Sequence, residues 1–223
     1  MNTAGKPSGF FITFEGPEGG GKSTQVHRLA AWLAARGHTV WTTREPGGSR
    51  VGETIRPLLL GGAAPQLAAW TEALLFTAAR AQLVSEVIRP RLERGEIVIC
   101  DRFSDSTIAY QGYGRGLDLG SLQRLQAEVT DGLEPGLTLL LYLPVETGLA
   151  RIPSAAQDRL DRETVAFHKR VAAGYRQMAA QGPGRWKEVD ASETPDQVAG
   201  AVLEHVRRAL DQAQIIPAQR RSA

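Results

Sequence analysis

Short, strongly apolar runs alternate along the chain with longer segments in which apolar residues recur every three or four positions. The short runs have the length and the bulky side chains of β-strands. Two of them, residues 96–101 and 137–143, are apolar almost throughout, which is typical of strands covered on both faces. The predicted strands span residues 10–14, 39–43, 96–101, 137–143 and 186–190.

The segments between these runs have the spacing of amphipathic helices. Strands that alternate with helices of this length imply right-handed crossovers and a parallel sheet. The predicted fold class is therefore α/β, with a five-stranded parallel sheet sandwiched between helices. Residues 66–94 predict one long helix, with Pro90 as an alternative end. One further helix is predicted directly after the glycine-rich residues 16–21, and a short one is predicted to end near residue 60. Three more are predicted over residues 118–131, 163–181 and 194–212.

The length of 223 residues fits one medium globular domain rather than two. We expect this domain to span residues 10–211, with flexible ends at 1–9 and 212–223. Residues 151–162 contain a proline and lack an apolar period, which predicts a short mobile lid. The only cysteine, Cys100, lies in a predicted strand and excludes an internal disulfide and a multi-cysteine metal site.

The charge balance is nearly even, with 26 lysines and arginines against 24 acidic residues and a formal net charge of +2. Because the body of the chain has no basic run, this balance argues against a dedicated nucleic-acid binder. No uncharged apolar stretch approaches the roughly 20 residues that span a bilayer, and the N-terminus lacks a signal-peptide core. We therefore expect a cytoplasmic protein with no membrane or nucleic-acid partner.

A glycine-rich loop lies between the first predicted strand and the first predicted helix. Residues 16–23 fit the pattern G-x-x-x-x-G-K-[ST] at every fixed position. In such a loop, backbone N–H groups surround phosphate oxygens, the lysine reaches the outer phosphates and the hydroxyl ligates Mg²⁺. The motif predicts binding of ATP with Mg²⁺. The residues assigned to this site are Gly16, Pro17, Glu18, Gly19, Gly20, Gly21, Lys22, Ser23 and Thr24.

An acidic residue and an arginine follow each other at the end of the third predicted strand. Asp101 is placed beside the phosphate loop, where a carboxylate can hold the metal through water. Ser23 and Asp101 are therefore the predicted metal site. Many P-loop motor ATPases carry a second acid after this position, whereas Arg102 favours phosphate handling in a transfer reaction. The pair indicates a kinase, with a surface ion pair as the alternative.

Several motifs together resemble the thymidylate kinases of the nucleoside monophosphate kinase superfamily. They are Phe-Glu-Gly at 14–16, Thr-Arg-Glu-Pro-Gly-Gly at 43–48, Asp-Arg-Phe at 101–103 and Ala-Tyr-Gln-Gly at 109–112. The phosphate loop alone is shared with many unrelated enzymes, so the resemblance rests on the whole set. It implies a P-loop nucleotide kinase fold with a flexible lid, a homodimer, and transfer of the γ-phosphoryl group of ATP to dTMP.

The resemblance also assigns an acceptor site. Arg44 and Arg102 would grip the phosphate of dTMP, for which a planar guanidinium is well suited. Phe76 would stack on thymine, and Arg80, four residues later on the same helix face, would bond its carbonyl. Glu18 would reach the sugar 3′-hydroxyl. The residues that would close over the base and the sugar are Ser106, Thr107, Tyr110 and Gln111.

For the donor site, the resemblance implies that Arg151 and Ala191 lie against the adenine of ATP. The phosphate loop lacks the arginine that some relatives carry there, so the catalytic arginine must come from the lid. Residues 158–161, Asp-Arg-Leu-Asp, resemble the lid signature Asp-Arg-x-Glu, which makes Arg159 the candidate and Arg162 the reserve. The predicted catalytic residues are Lys22, Arg44, Arg102 and Arg159.

The four histidines show no metal-ligand spacing, so solvent-facing or capping roles are expected for His27, His38, His168 and His205. No general base is needed, because an oxygen of a phosphate monoester is already a competent nucleophile. Two alternatives stay open. One is a kinase for another nucleoside monophosphate or a deoxynucleoside, and the other is a P-loop switch or assembly ATPase that hydrolyses ATP slowly.

Overall fold

The structure, a computed structural model, describes residues 9–61 and 66–217. The strands are β1 (Phe10–Glu15), β2 (Val40–Arg44), β3 (Ile97–Asp101), β4 (Leu137–Tyr142) and β5 (Trp186–Asp190). They form one sheet in the order β2-β3-β1-β4-β5, and every pairing is parallel. The predicted fold class, with five parallel strands between helices, is therefore confirmed.

Helices connect the strands on both faces of the sheet, as the alternating pattern predicts. Within the described residues they are α1 (Lys22–Ala34), α2 (Arg50–Leu60), α3 (Ala69–Leu83), α4 (Arg89–Glu93), α5 (Ser104–Thr107), α6 (Leu119–Thr130), α7 (Val145–Ala150), α8 (Val165–Gln181) and α9 (Pro195–Gln212). Two π-helical segments, Val84–Ile88 and Ile108–Gly114, continue α3 and α5. The predictions contained neither the short helix α7 nor these π-helical segments.

The long helical segment does not end at Pro90, so that alternative is wrong. A π-helical segment follows α3, and Pro90 then falls in the first turn of α4, which runs on to Glu93. Proline is tolerated in a first turn because the N–H that it lacks has no helical partner there.

Strand β1 lies at the centre of the sheet, and all six of its residues are buried. One face packs against α1 and α9 through side chains such as Leu29 and Val206. The other face packs against the end of the long helical segment through Phe11 and Ile88. Because β1 has β3 on one side and β4 on the other, the strand order reverses at β1. Parallel sheets of this kind bind ligands at the carboxyl ends of the strands at such a point.

The predicted domain limits and lid stay predictions. Residues 1–8 and 218–223 lie outside the described residues, so most of the two predicted flexible ends falls there. The predicted lid contains a short 3₁₀ helix, Ser154–Ala156, and a series of turns. No helix among residues 9–61 and 66–217 is long and apolar enough to cross a membrane.

Candidate active site

A cavity of about 380 Å³ opens at the carboxyl ends of β1 and β3. The phosphate loop forms one wall, and α3, α5 and the π-helical segment after α5 form the opposite wall. The sequence-predicted residues that line it together are Glu18, Gly19, Gly20, Gly21, Lys22, Ser23, Thr24, Arg44, Phe76, Asp101, Arg102, Ser106, Thr107, Tyr110 and Gln111. The structure thus brings most of the predicted site into one cavity.

The phosphate loop packs closely against the neighbouring backbone. Gly16 and Gly19 have φ angles of 132° and 69°. A Cβ atom would lie 2.3 Å from the Leu141 carbonyl oxygen at Gly16 and 2.0 Å from the Gly148 carbonyl oxygen at Gly19. Only glycine fits these two positions, because any side chain would push the loop off β4 and α7.

Lys22 is the first residue of α1, and its side chain is curled under the loop. Its Nζ donates to the carbonyl oxygens of Gly16 at 3.0 Å and Pro17 at 2.8 Å. Burial, with the positive charge of Arg102, lowers the pKa of Lys22 to about 8. A bound phosphate would favour the charged ammonium, so the lysine is placed to respond to a polyanion in the loop.

The two predicted metal ligands meet at the mouth of the loop. The Ser23 hydroxyl donates to Asp101 Oδ2 at 2.6 Å. Hydroxyl and carboxylate oxygens are hard ligands that suit Mg²⁺, which usually completes its shell with water and substrate phosphates. The described residues contain no group of three or more His, Cys, Asp or Glu side chains that could hold a metal ion. The two oxygens of this pair match the ligand preference of Mg²⁺.

Arg102 is the centre of a charged cluster that joins the loop to the acceptor side. It adopts a left-handed backbone conformation, with φ of 69°. Its guanidinium donates to Glu18 Oε2 at 2.8 Å and to the Gly16 carbonyl at 3.0 Å, while the Tyr110 hydroxyl bonds the other oxygen of Glu18. Burial alone would raise the pKa of Glu18, but the charges of Arg102 and Lys22 outweigh it and lower the pKa to about 2.

Glu15 belongs to the Phe-Glu-Gly motif, but sequence reasoning gave it no role. Its buried carboxylate accepts the Phe103 N–H at 2.7 Å, the Ser106 hydroxyl at 2.6 Å and the Tyr175 hydroxyl at 2.8 Å. These bonds hold the chain directly after the left-handed Arg102. Burial, and then the charge of Asp105, raises the pKa of Glu15 to about 7.

This raised pKa predicts a pH dependence of stability. The ordinary pKa is 4.5 and the folded value about 7, so between them the folded chain binds more protons than the unfolded chain. The Glu15 contribution should therefore lower the free energy of unfolding as pH rises through this window, by up to about 3 kcal/mol. Denaturant unfolding of wild type and Glu15→Gln across pH 5 to 8 measures it. Identical pH slopes in the two proteins would show that another group titrates.

Two arginines add positive charge at the acceptor end of the cavity. Arg44 closes β2, and its Nη2 donates to both carboxylate oxygens of Glu53 at 3.1 Å. Arg56, on α2, also lines the cavity and donates to the Pro46 carbonyl at 2.6 Å. Burial, and then the charge of Arg44, lowers the pKa of Arg56. Sequence reasoning did not identify Arg56 as a site residue. The feature that could have indicated it is its place on the helix that follows the 43–48 motif.

Arg80 lies behind the cavity wall rather than in it. It is 1% exposed, and all five of its N–H groups are engaged, by Glu45, Thr107, Gln126 and the Phe103 carbonyl. In this arrangement it has no N–H left for the carbonyl of a base, which the resemblance implied. It contacts Thr107, which does line the cavity.

The predicted adenine residues come together beside the phosphate loop. Arg151 Nη1 donates to the Ala191 carbonyl at 2.7 Å, and its Nη2 donates to the Ser192 carbonyl at 3.3 Å. Gly16, Pro17, Arg151 and Ala191 are not among the residues that line the cavity. The guanidinium of Arg151 therefore links the carbonyl groups that follow β5 to the edge of the phosphate loop, where it also bonds the Gly19 carbonyl.

The candidate lid arginine contacts α2 and α3. Arg159 Nε donates to the Leu59 carbonyl at 2.8 Å, and its Nη2 pairs with Glu72 on α3. Arg159 does not line the cavity, whereas Asp158 and Asp161 do. Arg162 is exposed. A role at the transferring phosphoryl group would require Arg159 to leave Glu72.

One of the four histidines departs from expectation. His27 is exposed, but His168 is only 2% exposed and packs edge-to-face on Phe167, so the solvent-facing or capping role is wrong for His168. It lies on the face of α8 that carries Val171 and Tyr175 into the core. The same face places the imidazole of His168 in the core. A histidine in the sequence does not by itself indicate such burial.

Comparison with known proteins identifies the family of this chain. The family model described as thymidylate kinase matches residues 14–202. A thymidylate kinase from Thermomicrobium roseum is 57% identical over 86% of this chain and 92% of that protein, and one from Desulfovibrio desulfuricans is 50% identical over 89% and 97%. The crystal structure of thymidylate kinase from Ehrlichia chaffeensis is 34% identical, with a TM-score of 0.72 over 90% of this chain and 99% of that chain. The likeness in both sequence and fold shows that the chain belongs to the thymidylate kinase family.

Proposed function

We propose that this protein transfers the γ-phosphoryl group of ATP to dTMP and forms dTDP, with Mg²⁺, in the cytoplasm. The observation that carries the proposal is a single cavity lined by the phosphate loop, by Arg44 and Arg102, and by Phe76 and Tyr110. Lys22 and Arg102 lie close together in this cavity, where both donate to the Gly16 carbonyl, and Phe76 on α3 lines the same cavity.

The charges of the cavity suit a reaction between two phosphate groups. We propose that Arg102, Arg44 and Arg56 hold the acceptor phosphate while Lys22 holds the outer phosphates of ATP. Fixed positive charge between two polyanions lowers their repulsion and stabilises the charge that develops on the transferring group. Glu18 pairs with Arg102, and the acceptor phosphate would replace that contact. An acceptor oxygen attacks directly, so no side chain has to remove a proton.

Ser23 and Asp101 would hold the magnesium ion through their oxygens. When bound, the ion neutralises charge on the phosphates of ATP and fixes their orientation. The side chains of Tyr110 and Ser106 would face the sugar of the acceptor, and Phe76 would stack on its base.

A screen of acceptors tests the proposed function. Purified protein with ATP and Mg²⁺ should form ADP most rapidly with dTMP, compared with other nucleoside monophosphates and with thymidine. Preference for another monophosphate or for a deoxynucleoside would support the first alternative. ADP formation at the same rate without any acceptor would support a P-loop switch or assembly ATPase.

Phe76→Ala should raise the KM for dTMP and leave the KM for ATP nearly unchanged. The substitution removes a stacking face from the acceptor pocket, while the phosphate loop stays intact. Initial rates with each substrate varied in turn measure the two constants. Equal weakening of both substrates would place Phe76 in the general core, because a cavity there loosens the whole domain.

We also propose a homodimer that uses the outer faces of α2 and α3. Trp70 and Leu74 lie one turn apart on α3 and are 42% and 51% exposed, and Val51 and Leu58 on α2 are also exposed. Exposed apolar patches of this kind are typical of interaction surfaces. Sedimentation of wild type and Leu74→Glu tests the proposal, with a dimer expected for the first and a shift to monomer for the second. A wild type that is monomeric at all concentrations would contradict it.

A further inference from the structure

The guanidinium of Arg102 is held through both of its terminal nitrogens. Nη2 donates to Glu18 Oε2 at 2.8 Å. Nη1 donates to the Gly16 carbonyl at 3.0 Å, to the Tyr175 hydroxyl at 3.2 Å and to Ser106 Oγ at 3.4 Å. Because a guanidinium is planar and rigid, the partners of Nη1 also determine where Nη2 lies. An acceptor phosphate that replaces Glu18 would therefore meet a nitrogen whose place is set by the other half of the group.

Tyr175 reaches this guanidinium from helix α8 and is fully buried. Its ring packs edge-to-face on Tyr110 and Trp186, with ring centroids 6.3 and 6.5 Å away. Neither Tyr175 nor Glu15, whose carboxylate accepts its hydroxyl, is among the residues that line the cavity. Both side chains therefore act on the cavity through the groups that they bond.

Glu15 sets the direction of two hydroxyl groups beside Arg102. Its Oε2 accepts the Ser106 hydroxyl at 2.6 Å and the Tyr175 hydroxyl at 2.8 Å. A guanidinium only donates hydrogen bonds, so neither hydroxyl hydrogen can point at Arg102. Both hydrogens turn instead toward the carboxylate, which is the stronger acceptor. The two hydroxyl oxygens then present their lone pairs to Arg102 Nη1.

We propose that Tyr175 and Glu15 are positioning residues that fix the guanidinium of Arg102 for the acceptor phosphate. The proposal rests on the acceptor site proposed above. Without the oriented hydroxyl groups, Nη1 would keep the Gly16 carbonyl as its anchor, and the guanidinium could turn about that one bond. Phosphoryl transfer depends on placement, and a displacement of about 1 Å can slow a reaction about a hundredfold. These two buried residues therefore control the rate from outside the cavity.

Tyr175→Phe tests the proposal, because it removes the hydroxyl and keeps the ring that packs on Tyr110 and Trp186. The kcat/KM for dTMP should fall by about tenfold or more, and the Kd for dTMP should rise. Thymidine lacks the phosphate that Arg102 would hold, so its Kd, measured by titration calorimetry, should stay unchanged. A folded variant with the wild-type kcat/KM would overturn the proposal. An equal loss of thymidine binding would also overturn it, because that result means a general loosening of the pocket.

Glu15→Gln is a second variant that reverses the two hydroxyl groups. Oε1 of Glu15 accepts the Phe103 N–H at 2.7 Å, so the amide oxygen must take that place and the amide nitrogen must face the hydroxyl groups. This nitrogen donates to their oxygens, and their hydrogens turn toward the N–H groups of Arg102. We expect the same pattern as for Tyr175→Phe, with lower kcat/KM for dTMP and unchanged binding of thymidine. A folded Glu15→Gln protein with the wild-type kcat/KM would overturn the proposal, and Tyr175→Phe decides it if Glu15→Gln does not fold.

Tyr113→Phe is the matched control, because Tyr113 also packs on α8, against Gly174, and does not line the cavity. Its constants for dTMP and thymidine should equal those of the wild type. In an Arg102→Met background, Tyr175→Phe has no guanidinium to position and should change the Kd for dTMP no further. A further loss as large as in the wild-type background, or an equal loss in Tyr113→Phe, would overturn the proposal.

The same assays separate this inference from the proposed function. Wild-type protein that forms no dTDP would overturn the proposed function and this inference with it. Wild-type activity with unchanged kcat/KM in both Tyr175→Phe and Glu15→Gln would overturn this inference alone.

Discussion

Replacing Lys22 with alanine should lower kcat by about a hundredfold or more, which corresponds to roughly 3 kcal/mol of transition-state stabilisation. The Nζ of Lys22 lies under the phosphate loop, where its partners among residues 9–61 and 66–217 are the carbonyls of Gly16 and Pro17. Its charge is therefore available to the outer phosphates of ATP, and it matters most when negative charge develops there. Steady-state rates of ADP formation with saturating dTMP measure the loss.

The matched control is Lys187→Ala, because Lys187 is a lysine that bonds a loop carbonyl, that of Pro183, away from the cavity. Its kcat should equal that of the wild type, and thermal melting should show that both variants fold. A folded Lys22→Ala protein whose kcat stays within about threefold of the wild type would show that this loop is not the ATP site.

Arg159→Ala should also lower kcat by about a hundredfold or more, with small changes in either KM. We propose that Arg159 exchanges Glu72 for the transferring phosphoryl group when both nucleotides are bound. An arginine that engages only at that stage affects the chemical step far more than the binding of substrates. Single-turnover measurements with saturating ATP and dTMP isolate this step.

Arg162→Ala is the control, since its side chain is exposed on the same turn. A nearly normal Arg159→Ala with a severely slowed Arg162→Ala would transfer the role to Arg162. If Arg159→Ala raises the KM for dTMP while kcat stays nearly normal, the arginine only docks the lid on α2 and α3. If both variants have wild-type rates, neither arginine of the lid takes part in phosphoryl transfer.

The fold could be predicted almost entirely from the pattern of apolar residues. Strands such as β4 are buried on both faces, so their sequences are apolar throughout, and the helices between them show their spacing clearly. The pattern over residues 66–94 also predicts the continuation past Pro90, whereas the way in which the helix accommodates the proline could not be predicted. It depends on a π-helical segment that places the proline in a first turn, and no short-range signal marks that change.

The parts of the site that form contiguous motifs could also be predicted. The phosphate loop, Asp101 with Arg102, and the helix that carries Tyr110 are all identified by residues close together in the sequence. Because the carboxyl ends of neighbouring parallel strands meet at one edge, their order along the chain already indicates that they meet in space.

The burial of the charged residues behind the cavity wall could not be predicted. Glu72 is an acidic residue in a helix, where a solvent-exposed role is the ordinary expectation. Only the tertiary structure shows that it is buried and receives Arg115, Arg159 and the Gln111 amide. The resemblance identifies Arg80 as a site residue, but its five bonds to the protein depend on groups distant in sequence. Burial and long-range partners decide such roles, and neither is visible in a local pattern.

The most direct measurement of the central claim is the stoichiometry of products in one reaction of purified protein with ATP, Mg²⁺ and dTMP. Quantitative separation of the nucleotides should show one dTDP formed for each ADP, and no ADP when dTMP is left out. ADP that accumulates without dTDP, or at the same rate without dTMP, would contradict the assignment of phosphoryl transfer to dTMP.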